Sequence, residues 1–238
     1  MKRTVKRMAL LVLALPLASC GSNFLTTPTP IINKGVILDA NLASSNAGWE
    51  GEATDYGVAQ QDLIEFSFSY ASLPAPLDTT KKALRVSGRN RSDDLFMFVR
   101  KQLTGLAPNT DYTLEFDVEL ASPHPAGSVG IGGSPATSVF LKAGASAAKP
   151  EKKLQGDFYT LSVDKGSQSE AGTQAVVLGN LANGKDTEEY TLIQRSNEGQ
   201  PLKARTNDKG ELWVFVGTDS GFEGDQTLYY SRIKVTAL

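Results

Sequence analysis

The sequence predicts an all-β protein built as a two-sheet β-sandwich, and three observations lead to this prediction. Apolar and polar residues alternate in about ten short runs, which is the period of a strand with one buried face. Turn-forming residues bound each run, and the 238-residue chain contains 22 Gly and 11 Pro. No stretch of eleven or more residues keeps the apolar period of a helix. Many short alternating strands without helices are typical of two packed sheets.

The clearest strand is DYTLEFDVEL, residues 111–120, where Tyr, Leu, Phe, Val and Leu alternate with polar residues. The same alternation predicts strands in DLIEFSFSY, DLFMFVRKQL and ELWVFVG, and in the shorter runs VFLKA, FYTLSV, AVVLG, YTLIQ and TLYYSRIKV. The longest predicted loop, residues 122–137, is rich in Gly and Pro. It contains the chain's single His, His124, between two prolines, and we predict that this side chain is exposed.

The N-terminus has the layout of a secretory signal. Four basic residues precede a short apolar run, residues 8–17, which is too short to cross a membrane. The following residues, Leu17-Ala18-Ser19-Cys20, resemble the lipobox of bacterial lipoproteins. That resemblance implies cleavage before Cys20, acylation of its thiol and often of the new amino group, with palmitate among such chains, and anchoring in a lipid bilayer. An ordinary signal peptide followed by a free Cys is the alternative.

These features predict three segments. Residues 1–19 form the lipoprotein signal peptide, residues 20–30 hold the lipidated Cys and a Thr/Pro tether, and residues 31–238 form a single β-sandwich domain. The predicted location is extracytoplasmic. Since Gly21 stands where enterobacterial lipoproteins carry an inner-membrane retention Asp, the outer membrane is favoured in a cell that has one.

Composition excludes several function classes. One Cys and one His exclude a disulfide framework, a zinc ribbon and a Cys–His catalytic pair. A formal charge of −2 argues against nucleic acid as a partner. The loop GSVGIGG, residues 127–133, lacks the Gly-Lys-Ser/Thr of a phosphate cradle, so no nucleotide partner is expected.

QLTGLAPNTDYTLEFDVEL, residues 102–120, resembles the strand–turn–strand of carbohydrate-binding jelly rolls and fibronectin-like sandwiches. SDDLFMFVRKQLTGLAPNTDY, GIGGSPATSVFLKAGA and VGTDSGFEGDQTLYY are similar to a group of secreted bacterial proteins, a resemblance that implies no activity. The first resemblance implies a jelly-roll-like sandwich of the galactose-binding or carbohydrate-binding-module type. Because sugar sites of such sandwiches use exposed aromatic rings, Trp49 and Tyr56 are candidate ligand-binding residues, with core packing as the alternative.

Glu115-Phe-Asp117-Val-Glu119 is similar to the E-x-D-x-E strand of retaining laminarinase-type glycosidases. The resemblance implies Glu115 as nucleophile and Glu119 as acid/base, with Asp117 between them. Phe116 and the following Leu-Ala-Ser-Pro depart from that family's pattern. A solvated polar face of an antiparallel strand explains the same alternation and is the favoured interpretation.

TDSGFEGDQ, residues 218–226, places Asp219, Glu223 and Asp225 around two glycines. Carboxylate oxygens on a sharply turning loop suit Ca²⁺, so a structural calcium ion is a possible cofactor. The spacing does not match an EF-hand loop, and acidic turns also form for reasons of backbone hydrogen bonding.

The sequence thus favours a non-enzymatic binding module of the cell envelope, with carbohydrate as its ligand. A structural or assembly lipoprotein with an envelope protein partner is the first alternative. A retaining glycoside hydrolase using Glu115 and Glu119 is the second.

Overall fold

The computed structural model describes residues 35–238, which form fifteen β-strands, one 3-10 turn at Val58–Gln60 and no α-helix. No helix in this part of the chain has the length and apolarity to span a bilayer. The strands are β1 (Gly35–Asn41), β2 (Glu50–Thr54), β3 (Tyr56–Gly57), β4 (Ser67–Ser72), β5 (Lys82–Arg89), β6 (Leu95–Leu103), β7 (Asp111–Ser122), β8 (Val139–Ser146), β9 (Lys152–Gln155), β10 (Phe158–Leu161), β11 (Ala175–Asn180), β12 (Thr191–Ser196), β13 (Leu202–Arg205), β14 (Leu212–Ser220) and β15 (Asp225–Ala237).

Two antiparallel sheets make the sandwich. The larger sheet follows the order β12-β7-β15-β5-β4, with β13 also paired to β7 and β1 also paired to β15. The smaller sheet follows the order β11-β8-β14-β6-β2. From β5 to β8, and again from β11 to β15, the chain crosses repeatedly between the sheets, as in a jelly roll. The predicted all-β, two-sheet, jelly-roll-like class is confirmed.

The core lies between the sheets and follows from the alternation in the sequence. On β7 the buried residues are Tyr112, Leu114, Phe116, Val118 and Leu120, whereas the residues between them are exposed or half-buried. On β6 and β14 the inward residues Leu95, Met97 and Val99 meet Leu212, Val214 and Val216 in the same apolar cluster. The hydrophobic effect on these inward faces holds the two sheets together.

A third layer covers the outer face of the smaller sheet. It consists of residues 147–174, here called the covering segment, whose strands β9 and β10 pair with each other, and β10 also pairs with β3. Beneath it lies a second apolar cluster of Phe96, Phe98, Phe215, Val163 and Ala175. Gly217 leaves room for the rings of this cluster, since a Cβ there would lie 2.5 Å from Cβ of Phe98 and 2.7 Å from Cζ of Phe96. The smaller sheet is therefore covered on both faces, whereas residues 35–238 leave much of the outer face of the larger sheet uncovered.

Strands appear within all nine predicted runs, and β1, β2, β3, β5, β9 and β13 come in addition. The additional strands are short or carry charges and glycines that break the alternation. The exposure predicted for His124 is wrong, because only 8% of this residue is exposed and burial lowers the pKa of its imidazole. The signal peptide, the lipobox with Cys20 and the tether lie outside the described residues.

Candidate functional site

The open outer face of the larger sheet carries a groove of about 400 Å³ across β12, β7 and β15. We call it the polar groove, and the polar side chains on its floor are Asp117, Glu119, Gln194, Ser196, Arg232 and Lys234. The strand registry sets these side chains in two cross-strand rows. One row runs Ser196, Asp117, Lys234 and Asp39, and the next runs Gln194, Glu119, Arg232 and Asn41.

These rows form a regular array because neighbouring strands are ~4.8 Å apart and alternate residues of one strand are ~6.6–7 Å apart. Charges of opposite sign face each other along the rows. Lys234 Nζ lies 3.6 Å from Asp117 Oδ2, and Arg232 donates to both carboxylate oxygens of Asp39 at 2.8 and 2.7 Å. Hydrogen bonding to Arg232 lowers the pKa of Asp39. The groove thus presents ionised groups of both signs.

Several polar atoms in the groove stay accessible. Glu119 accepts a hydrogen bond from the Ser231 hydroxyl at 2.7 Å and a weak one from the Gln194 amide at 3.5 Å. Gln194 is exposed and Ser196 is half-buried. A ligand with hydroxyl, amide or carboxylate groups can therefore exchange hydrogen bonds with this floor in both directions.

A second depression of about 250 Å³ continues the groove, since Glu119 and Arg232 line both. Leu73 and the exposed Leu192 border it. Leu73 also belongs to a small apolar cluster with Tyr190 and Tyr229, whose rings meet edge to face with centroids 5.5 Å apart. The combined groove has a polar floor, and two leucine side chains border one end of it.

The three acids of the E-x-D-x-E run share this outer face. β7 is regularly paired with β15 from Glu115 to Glu119, so these two residues lie ~13 Å apart along the strand. Retaining glycosidases need two carboxyl groups only ~5–5.5 Å apart. In addition, Asp117 is paired with Lys234, and none of the described residues that line the polar groove is aromatic. The arrangement is that of a solvated strand face.

The expectation that Trp49 and Tyr56 present their rings to a ligand is wrong. Trp49 is 3% exposed and Tyr56 is 2% exposed, and both belong to the main core. Tyr56 packs on Tyr159, and its hydroxyl accepts a hydrogen bond from Lys152 at 2.9 Å. The turn residues around Trp49 direct its ring into the core. The sequence does not reveal this, because apolar and polar residues do not alternate around Trp49.

The calcium trio does not converge. Asp219 is fully buried on the outer face of the smaller sheet, whereas the Asp225 side chain is 67% exposed and paired with Arg89. Glu223 lies in an isolated backbone bridge with Ile131. Among the described residues, the acids whose oxygens converge near Asp219 are Asp55 and Asp94 and not Glu223 or Asp225, so the expected calcium loop is wrong.

Asp219 instead joins a buried charged cluster under the covering segment, with Asp55, Asp94, Lys142 and Lys165. Lys165 Nζ lies 2.7 Å from Asp219 Oδ2 and 2.9 Å from Asp55 Oδ2, and Lys142 Nζ lies 3.0 Å from Asp219 Oδ2. Oxygens of Asp55, Asp94 and Asp219 lie within 4.8 Å of one another, the spacing of metal ligands. The Lys165 ammonium contacts two of these carboxylates, so it already supplies the cation that a metal would provide.

Two carboxyl groups of the cluster have raised pKa values. Burial raises the pKa of Asp55 against the opposing effect of Lys165. Burial, reinforced by Asp55, raises the pKa of Asp94 to about 6.

Sequence analysis does not predict this cluster, although the sequence contains one signal for it. Lys142 in VFLKAGA and Asp219 in VFVGTDS stand inside strands that are otherwise apolar on both faces.

No protein-family model matches the sequence, and no curated protein matches it. Similar solved structures include a carbohydrate-binding module described for specific mannan recognition, with 12% identity over 85% of this chain and 97% of its own, at a TM-score of 0.43. The K1 cleaved adhesin domain of Lys-gingipain from Porphyromonas gingivalis shares 9% identity over 84% of this chain and 98% of its own, at 0.38. A module solved with β-1,4-galactotriose shares 6% identity over 81% and 90%, at 0.35. Similarities at these levels of identity and TM-score do not assign a ligand to this chain.

Proposed function

We propose that the chain is a cell-envelope lipoprotein whose sandwich is a non-enzymatic binding module for carbohydrate, with the polar groove as its site. Residues 1–19 act as the signal, and acylated Cys20 anchors the protein in a bilayer, the outer membrane where there is one. The observation that carries the proposal is the groove, an array of polar side chains on the outer face of the larger sheet, which residues 35–238 leave accessible there.

The size and chemistry of the groove support a glycan. About 400 Å³ lies within the range of sites that hold small ligands. Sugar hydroxyls donate and accept hydrogen bonds, and the floor offers carboxylates, cations, an amide and a hydroxyl at regular spacing. Because the rows repeat along β7 and β15, successive groups of an extended chain meet similar partners.

One observation favours a protein partner as a second candidate. Val129 is 92% exposed and Ile131 is 72% exposed, and both lie in the glycine-rich loop. Ile131 bridges to Glu223 near the start of β15, whereas Gly35 pairs with Ala237 at its end. The apolar loop is thus at the opposite end of the larger sheet from Gly35, where it is exposed to a partner.

The test is a glycan array followed by titration calorimetry on the full chain in detergent. We expect binding that Gln194→Ala and Arg232→Ala each weaken by about tenfold, the effect of losing one or two hydrogen bonds worth ~1–2 kcal/mol. Arg205→Ala is the matched control, because Arg205 forms an exposed pair with Asp111 at 3.0 Å on the same sheet outside the groove. Binding unaffected by the groove variants would contradict the assignment of the site.

If no glycan binds, the proposal of a carbohydrate ligand fails. In-envelope crosslinking through a photoreactive residue at position 129 then decides on the protein partner.

A further inference from the structure

Two members of the buried charged cluster stand in contact on neighbouring strands. Lys142 of β8 pairs with Gly217 of β14, two residues before Asp219 on the same face. Diagonal neighbours of this kind lie ~7–8 Å apart at Cα, a span that a lysine side chain crosses. Its Nζ reaches 3.0 Å from Oδ2 of Asp219, and both side chains are 0% exposed.

The pair is buried beside aromatic rings. Phe96, Phe98 and Phe215 are fully buried on the same outer face of the smaller sheet. The covering segment closes the site from above, where Lys142 Nζ donates to the carbonyl oxygens of Lys165 at 3.0 Å and Glu170 at 2.9 Å. These contacts fix the nitrogen against the carboxyl group.

The two oxygens of Asp219 are unequal. Oδ2 accepts hydrogen bonds from the Lys165 ammonium at 2.7 Å and from the Gln168 backbone N–H at 2.9 Å. Oδ1 is buried and has no hydrogen-bond partner among the described residues. Two donors on Oδ2 are placed as in an oxyanion hole, since they stabilise negative charge that develops there when a nucleophile attacks Cγ. Oδ1 is the oxygen free to leave.

We propose that Lys142 and Asp219 condense to an intramolecular isopeptide bond that ties β8 to β14 beneath the covering segment. The Lys142 nitrogen bonds to Cγ of Asp219, and the Cγ–Oδ1 bond breaks. Oδ1 leaves as water with two protons given up by the ammonium group. The step needs no oxidant, reductant or co-reactant.

Two further carboxyl groups lie beside Asp219 and can exchange protons with the reacting groups. Oxygens of Asp55 and Asp94 lie within 4.8 Å of Asp219, and burial raises the pKa of both groups. Burial lowers the pKa of the Lys142 amine, which favours its nucleophilic form. Burial by itself lowers the pKa of Lys165. The negative charges of Asp219 and Asp55 together have the larger effect, so the pKa of Lys165 is raised. Lys165 therefore stays a charged donor, and Lys142 is the nucleophile.

The product suits its surroundings better than the reactants do. A buried ion pair is costly unless every polar atom in it has a hydrogen-bond partner. Asp219 Oδ1 has no such partner among the described residues. The amide removes one buried positive and one buried negative charge and eliminates this oxygen. Lys165 remains paired with Asp55 at 2.9 Å.

Peptide mass spectrometry of the purified full chain tests the proposal. After denaturation and trypsin digestion we expect a branched peptide that joins residues 102–152 to 210–232, uncut at Lys142 and lighter by one water than its two parts. In Lys142→Arg these residues appear as separate peptides. Lys101→Arg is the matched control on the neighbouring strand β6 and keeps the branched peptide.

A second readout uses a protease site inserted in the exposed turn at residues 184–188. After cleavage and boiling in detergent, the two fragments stay joined in the otherwise unchanged chain and separate in Lys142→Arg. Complete release of residues 102–142 and 210–232 from the folded, unsubstituted protein overturns the proposal.

Discussion

Phe215 is the ring on which the covering segment rests, so replacing it tests whether this sandwich face is closed in solution. Phe215 is fully buried and meets Phe96 and Phe98 edge to face, each with centroids 6.4 Å apart. Its tip lies on the backbone of β8, where a Cβ on Gly144 would be 2.1 Å from Cζ. Phe215→Ala leaves a cavity that this rigid floor cannot fill.

Removing a buried phenylalanine ring costs about 3–5 kcal/mol, through lost transfer energy and the residual cavity. For a protein of this size each kcal/mol lowers the melting temperature by ~2–4 °C. We therefore expect Phe215→Ala to melt about 10 °C lower in calorimetry. Amide exchange in β10 should accelerate as well, because this strand lies over the ring cluster through Leu161.

Trp213 supplies the matched control, because it lies two residues earlier on the same face of β14. It is half-buried, and Lys149 Nζ lies 5.1 Å from the centre of its ring. Trp213→Ala should cost about 1–2 kcal/mol, the value of partial burial and one cation–π contact. Equal costs for the two variants, with unchanged exchange in β10, would refute the closed face.

Three further predictions address stability. Arg195 donates to the carbonyls of Gln194 at 2.8 Å, Asn180 at 2.8 Å and Ala182 at 2.9 Å, bridging the edges of the two sheets. Arg195→Lys cannot make all three bonds and should cost about 1–3 kcal/mol in urea unfolding; an unchanged midpoint would contradict the bridge. Gly217→Ala forces a methyl group against the Phe98 side chain and should cost about 1–3 kcal/mol by the same measurement, whereas normal stability would mean that the sheet relaxes freely. Because burial raises the pKa of Asp94 to about 6, its contribution to stability is complete below pH 3.8 and is lost as pH rises through about 6. Asp94→Asn should flatten this decline in a pH series of melting curves, and an unchanged slope would exclude Asp94 as its source.

The sandwich could be predicted because its inner faces impose a period of two on the sequence. On β7 the alternation from Tyr112 to Leu120 gives both the strand and its buried side. The acids between these residues are exposed or half-buried on the outer face. The arginine and lysine opposite them come from β15, more than a hundred residues later, so the groove appears only once the strand registry is known.

The buried charged cluster could not be predicted from the sequence, for a different physical reason. Lys142 and Asp219 look like polar interruptions in apolar strands, and a solvated position explains such residues equally well. Their burial depends on the covering segment, whose strand β9 is short and carries little alternation. The prediction that Trp49 and Tyr56 are exposed is wrong for the opposite reason. Their turn-rich surroundings suggest exposure, whereas both rings lie in the core.

The covering segment connects the two proposals. By burying the aromatic face of the smaller sheet, it removes the rings of Phe96, Phe98 and Phe215 from any ligand. Binding at a sheet face is thereby left to the larger sheet, where polar side chains replace aromatic stacking. The same burial excludes water from Lys142 and Asp219 and brings Lys165 and Gln168 onto one carboxylate oxygen. Opening this layer should therefore impair formation of the isopeptide bond, while the polar groove on the opposite sheet keeps its ligand.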